Sequence, residues 1–105
     1  MKVFEIILSE QAIENTVVEE YQVIPWQLIF DTSDLAGMFD LAPAPVAIEA
    51  IDAALARLTA NSEEIREAID PRERLGLRGY RTRLLAMRRD LANNPDARMS
   101  GLIAV

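Results

Sequence analysis

Residues 71–93 read PRERLGLRGYRTRLLAMRRDLAN, and they carry the clearest structural pattern in this 105-residue chain. Their apolar side chains recur every three or four residues, which is typical of an amphipathic α-helix that buries one face. This apolar stripe consists of Leu77, Tyr80, Leu84, Met87 and Leu91. Asp70-Pro71 suits a helix start, while Gly76 and Gly79 weaken the first turns and favour a regular start nearer Gly79.

A second apolar stripe lies in residues 45–59, where Pro45 occupies a favourable first helical position. Its members are Ile48, Ile51, Leu55 and Leu58. We expect the two stripes to face each other in a helical hairpin, with a short helix starting at Ser62 between them. The sequence therefore predicts a single small domain over residues 1–105 with a mainly α fold, and an α+β fold is the alternative.

The two ends of the chain are apolar and compatible with β-structure. Residues 1–8 are rich in Val, Ile and Phe, which predicts a short strand. Ser9 can cap a helix from Glu10, because Ile13, Val17, Tyr21 and Ile24 follow helical spacing, although the same run also fits a strand. Residues 25–45 fit a short helical turn or a buried strand. Residues 99–105 predict a short C-terminal strand.

Charge is segregated along the chain. Residues 1–56 contain ten acidic residues and one basic residue, Lys2, whereas residues 72–89 contain seven arginines and one acid, Glu73. Such asymmetry indicates interaction surfaces. Four of the arginines fall on one helical face, with Leu85 in the gap between the third and the fourth. This arginine stripe consists of Arg74, Arg78, Arg81 and Arg88.

Two interpretations of the arginine stripe are open. Guanidinium groups form bidentate pairs with carboxylates and phosphates, so the stripe can dock on an anionic surface. Alternatively, the arginines pair with this chain's own acids, such as Glu49 and Asp52, or are simply solvated. Trp26 also has two interpretations, an interface anchor or a core residue. The predicted partner-binding residues are Arg74, Arg78, Arg81, Leu85, Arg88 and Trp26.

The sequence carries no reaction signature. It has no histidine and no cysteine, and phosphate-binding loops are absent. The segment Asp31-Thr-Ser-Asp34 lacks the ligand spacing of a calcium loop and fits turn chemistry better. We therefore expect a non-enzymatic protein without a cofactor or a bound metal.

These observations predict a protein–protein interaction module, either an assembly subunit or a small inhibitor-type protein of a cell or a phage. Its partner would be another protein or further copies of itself. The alternative is a nucleic-acid-contacting protein that uses the arginine-striped helix, although a net charge of −6 weighs against general nucleic-acid binding. No apolar run approaches the roughly 20 residues of a membrane span. We expect a location in the cytoplasm, or in a virion if the protein is phage-encoded.

Overall fold

The computed structural model describes residues 1–105 and shows an α+β fold, 50% helical and 20% strand. A five-stranded antiparallel sheet accompanies four α-helices. The predicted mainly α fold is therefore wrong. One reason is that three of the strands are only two residues long, which is too short to leave a periodic pattern in the sequence.

The N-terminal hairpin is the largest departure from the predicted elements. Strand β1 (Lys2–Leu8) pairs antiparallel with β2 (Gln11–Val18), so the predicted helix from Glu10 is wrong. Ser9 and Glu10 join the strands with left-handed φ angles of 52° and 67°, as a tight two-residue hairpin turn requires. Apolar residues spaced four apart fit both the period of 3.6 and the period of 2, so their spacing could not separate a helix from a strand.

The remaining strands come from distant parts of the chain. They are β3 (Ala42–Pro43), β4 (Arg98–Met99) and β5 (Ile103–Ala104). The sheet order is β2-β1-β4-β3. Strand β4 pairs with Ile6 and Ile7 of β1, and β5 pairs with Lys2 and Val3 near the start of β1. The predicted C-terminal strand is thus present as two short pieces. Ser100 and Gly101 separate them, and the Ser100 backbone N–H donates to the Glu5 carbonyl at 2.9 Å.

The helices follow the predicted pattern more closely. They are α1 (Val23–Phe30), α2 (Ala44–Ala60), α3 (Ser62–Ala68) and α4 (Leu77–Asn93), with a 3₁₀ turn at Glu20–Gln22 before α1. The prediction of 45–59 for α2 is nearly right. The prediction of 71–93 begins too early, because the Arg72 and Glu73 N–H groups bond to Asp70 in a local turn. Gly76, with a φ of 54°, is the N-cap residue directly before α4.

The core forms between the helices and one face of the sheet. Phe4 of β1 meets Trp26, Phe30 and Phe39 edge to face, with ring centroids 5.7–6.3 Å apart. Helices α2 and α4 pack against each other, as the two stripes predicted. Six of the nine stripe residues are buried, and the other three are partly buried against the same core. These three are Ile48, Leu55 and Leu77.

Candidate cationic docking site

The arginine stripe occupies the outer side of α4 and the turn before it. Arg74 lies in the turn of residues 71–76, while Arg78, Arg81 and Arg88 lie on α4 and are exposed or half-exposed. Leu85 lies on the same face and is 49% exposed. Helical spacing places Arg78, Arg81, Leu85 and Arg88 along one side of α4. Arg74 precedes the helix and shares a groove with Arg78.

The C-terminal part of the stripe is engaged within the molecule. The Arg88 guanidinium binds both carboxylate oxygens of Asp52 on α2, at 2.7 and 3.3 Å. This hydrogen-bonded pair holds the pKa of Asp52 below its ordinary value of 3.8. Arg81 donates to the Thr59 hydroxyl at 3.1 Å. For Arg88 the structure matches the alternative interpretation, in which an arginine pairs with an acid of the neighbouring helix.

The N-terminal part of the stripe opens into a groove with a third arginine from α3. Arg66, Arg74 and Arg78 line this groove of about 550 Å³, together with Leu75 and Gly76. None of the three arginines has a carboxylate oxygen within 4.0 Å, and none donates a side-chain hydrogen bond. We call the surface formed by these five residues the cationic groove.

The two carboxylates that also line the cationic groove are occupied by other groups. Arg72 binds both oxygens of Asp70 at 2.9 Å, which lowers the pKa of Asp70 to about 2. Glu73 accepts hydrogen bonds from the Tyr80 hydroxyl and the Gln22 amide, both at 2.6 Å. Both carboxylates therefore make their direct contacts with other groups and form no ion pair with Arg66, Arg74 or Arg78.

Exposed apolar side chains lie on the same surface as the arginines. Leu75, inside the cationic groove, is 58% exposed. Leu85 follows Arg81 by one helical turn and is also exposed. A surface that combines unpaired guanidinium groups with isolated leucines offers both charge and apolar contact to a partner.

Trp26 does not belong to this surface. Its side chain is completely buried, stacked on Phe30 at 5.5 Å and edge to face with Tyr80 at 5.0 Å. The core interpretation of Trp26 is therefore the one that the structure shows. In this conformation its indole cannot contact a partner, and its buried Nε1–H has no hydrogen-bond partner.

Sequence reasoning missed Arg66 as a member of the site. Arg66 lies on the short helix α3, and it meets Arg74 and Arg78 only because the chain reverses through residues 69–76. The only signal in the sequence was Asp70-Pro71, which marks the end of a helix but does not indicate the direction in which the chain continues. The position of Arg66 therefore depended on tertiary structure.

No group of three or more carboxylates is placed to share a metal ion. The absence of a metal, a cofactor and enzymatic activity stays a prediction.

Comparison with protein-family models, curated proteins and solved structures found no match. None of the helices combines the length and the apolar character that crossing a membrane requires.

Proposed function

We propose that this protein is a non-enzymatic interaction module that docks through its cationic groove on an acidic surface of another protein. One observation carries the proposal. Arg66, Arg74 and Arg78 line one open groove without an internal carboxylate partner, in a chain that has 17 acidic and 11 basic residues. Carboxylates are abundant in this chain, so their scarcity does not explain three unpaired arginines.

The segregation of charge supports the same proposal. Of the four ion pairs in the structure, only Arg88–Asp52 joins residues 1–56 to the arginine-rich segment. The other three are local, within ten residues along the chain. The fold therefore uses little of the attraction between its acidic and basic segments, and most of that attraction remains available to a partner.

A protein partner fits the surface better than nucleic acid does. Leu75 and Leu85 are exposed beside the arginines and can bury apolar area against a protein. The net charge of −6 opposes the general attraction to phosphate on which nucleic-acid binding depends. Within this proposal the protein is an assembly subunit or a small inhibitor-type protein. Its proposed location is the cytoplasm, or the virion for a phage-encoded protein.

The proposal can be tested by an amide NMR titration with two probes. The first probe is a synthetic helical peptide that carries a glutamate stripe beside leucines, and the second is a mixed-sequence DNA duplex. We expect the acidic peptide to shift the amide signals of Arg66 and of residues 74–81. DNA binding that is tighter than peptide binding and falls steeply with salt would assign the groove to nucleic acid instead.

Matched charge reversals provide the control. Arg74→Glu with Arg78→Glu should weaken peptide binding by at least tenfold, because like charges then face each other. Lys2→Glu with Arg89→Glu makes the same change in net charge at two exposed positions outside the groove and should leave peptide binding nearly unchanged. Equal losses in both variants would mean that the peptide senses only the overall charge, and the proposed site would then be wrong.

A further inference from the structure

The outer edge of β2 is a second surface that the cationic groove does not explain. This strand pairs with β1 alone and lies at the edge of the sheet. Of its eight residues only Val18 is buried, while Ile13 and Val17 are 39% and 40% exposed. An exposed edge strand presents unpaired N–H and C=O groups that can pair with another strand.

The hydrogen bonds of Glu5 identify which backbone groups of β2 are free. The Glu5 N–H donates to the Ser100 hydroxyl at 3.0 Å, and the Glu5 carbonyl accepts from the Ser100 N–H at 2.9 Å. Both Glu5 backbone groups therefore point away from β2. Asn15 lies directly opposite Glu5 in the ladder, so its own N–H and C=O point away from β1, toward the free edge. Val17, two residues further on, has the same orientation.

A groove runs along this edge between β2 and α4. Its volume is about 440 Å³. Glu14 and Thr16 line it from the strand, and Ala86, Met87 and Asp90 line it from the helix. We call this surface the edge groove. A strand added to β2 would direct every second side chain into the edge groove while its backbone bonds to Asn15 and Val17.

Charge indicates the chemistry of the added strand. Glu10, Glu14, Glu19 and Glu20 lie on or beside β2, and no basic residue occurs between Lys2 and Arg57. Two arginines of α4 also line the edge groove, and each already has a carboxylate partner: Arg83 lies 4.0 Å from Glu73 and Arg89 lies 3.2 Å from Asp90. One Asp90 carboxylate oxygen has no hydrogen-bond partner. The edge is therefore complementary to a segment that carries lysine or arginine.

The same charges disfavour a second copy of this chain on the edge. Pairing two β2 edges would bring both copies' sets of the same glutamates to one seam: Glu14 on the strand, and Glu10, Glu19 and Glu20 beside it. Such an accumulation of like charge is destabilising.

We propose that the edge groove binds an extended, lysine- or arginine-bearing segment of another protein as an added antiparallel strand. The segment has β-branched residues at its centre, which pack beside Val17 and in the edge groove. Its basic ends face the glutamates that flank β2. This surface is separate from the cationic groove, and its test does not depend on the function proposed above.

The test uses a defined probe, the blocked peptide acetyl-KTVTVTK-amide, titrated into the isotope-labelled full-length protein. We expect the Asn15 and Val17 amides to exchange rapidly in the free protein and to become protected when peptide is added. N-methylation of one alternate set of peptide residues, either the valines or the central threonines, should weaken binding by about tenfold or more. Methylation of the other set should have little effect, because only one set faces β2.

Two variants and a second peptide complete the design. Asn15→Pro removes an N–H that faces solvent, so the hairpin should persist while peptide affinity falls, and Asn15→Ala should bind normally. If the proline variant does not fold, the methylated peptides still decide the question. The acidic-ended peptide acetyl-ETVTVTE-amide should bind at least tenfold more weakly than the basic one. Arg74→Glu with Arg78→Glu should leave binding of the basic peptide intact.

Three results would overturn this inference. The first is that millimolar peptide produces no protection at Asn15 and Val17. The second is an equal response to both methylation patterns. The third is protection of these two amides in the free protein together with a dimer in sedimentation analysis, which would assign the edge to a second copy.

Discussion

Tyr80 connects the core to the segment that carries the cationic groove. Its ring is buried against Trp26, and its hydroxyl donates to Glu73, which also accepts from Gln22 of the 3₁₀ turn. Arg83 lies over the same ring, 5.4 Å from its centroid. This polar contact within an otherwise apolar region fixes the turn of residues 71–76 relative to α4. The position of Arg74 therefore depends on a side chain that never reaches the surface.

Alkaline pH should test this connection. Burial, together with the hydrogen bond to Glu73, raises the pKa of Tyr80 above its ordinary value of 10.0. The folded state therefore binds the phenolic proton more tightly than the unfolded state does, so stability is complete below about pH 10 and decreases as pH rises above it. We expect tyrosinate absorbance from Tyr80 to appear together with loss of helical circular dichroism. A tyrosinate signal from Tyr80 in the folded protein would contradict this.

Gly101 is a second position at which one residue constrains the fold, here because the position has no room for a side chain. A Cβ atom added there would overlap the carbonyl oxygen of Ala36, and the adjacent Leu102 N–H bonds to Leu35 at 2.9 Å. Gly101→Ala should therefore destabilise the protein by about 1–3 kcal/mol, because the backbone of either segment must move.

Gly76→Ala provides the comparison for Gly101→Ala. A Cβ at Gly76 meets no atom within 4 Å, but the φ of 54° and ψ of −135° are essentially confined to glycine and strain an alanine by about 1–3 kcal/mol. Urea unfolding measures both variants. A Gly101→Ala variant that is as stable as the unmodified protein would show that the close approach of Gly101 to Ala36 does not constrain the fold.

At the scale of elements, one face of α4 packs in the core and the opposite face is exposed to solvent. Leu84 is completely buried, whereas the adjacent Leu85 is half-exposed on the arginine stripe. Leu84→Ala should cost about 2–5 kcal/mol of unfolding free energy, because it leaves a cavity in the core. Leu85→Ala should change stability by no more than about 0.5 kcal/mol. Denaturant titrations of the two variants check this, and similar losses would show that the two faces of α4 are misassigned.

Elements with a long apolar pattern could be predicted from the sequence, whereas elements with a short pattern could not. Helices α2 and α4 each carry an apolar stripe over several turns, so their existence and their contact could be predicted. Strand β2 could not be distinguished from a helix by spacing alone. Strands β3, β4 and β5 exist because tertiary structure brings them beside partners far away in the chain. The same limit explains the candidate site, since the stripe was visible in the sequence but Arg66 and the Arg88–Asp52 pair were not.

At the scale of the whole molecule, the acidic and the arginine-rich segments form few ion pairs with each other. The acidic N-terminal residues form the hairpin and its exposed edge, and the arginine-rich segment forms the outer side of α4 and the cationic groove. Only one ion pair joins the two segments. The two surfaces that we propose as docking sites therefore differ in charge: three arginines without ion pairs line the cationic groove, and four glutamates lie on or beside β2.

The central claim is that the arginines of the cationic groove serve a partner and not the fold. Urea unfolding of the Arg74→Glu, Arg78→Glu double variant tests this claim most directly. Neither side chain has an ion-pair or hydrogen-bond partner, so the unfolding free energy should stay within about 0.5 kcal/mol of the unmodified protein. A loss above about 2 kcal/mol would show that these arginines hold the acidic part of the chain in place, and the docking account would be wrong.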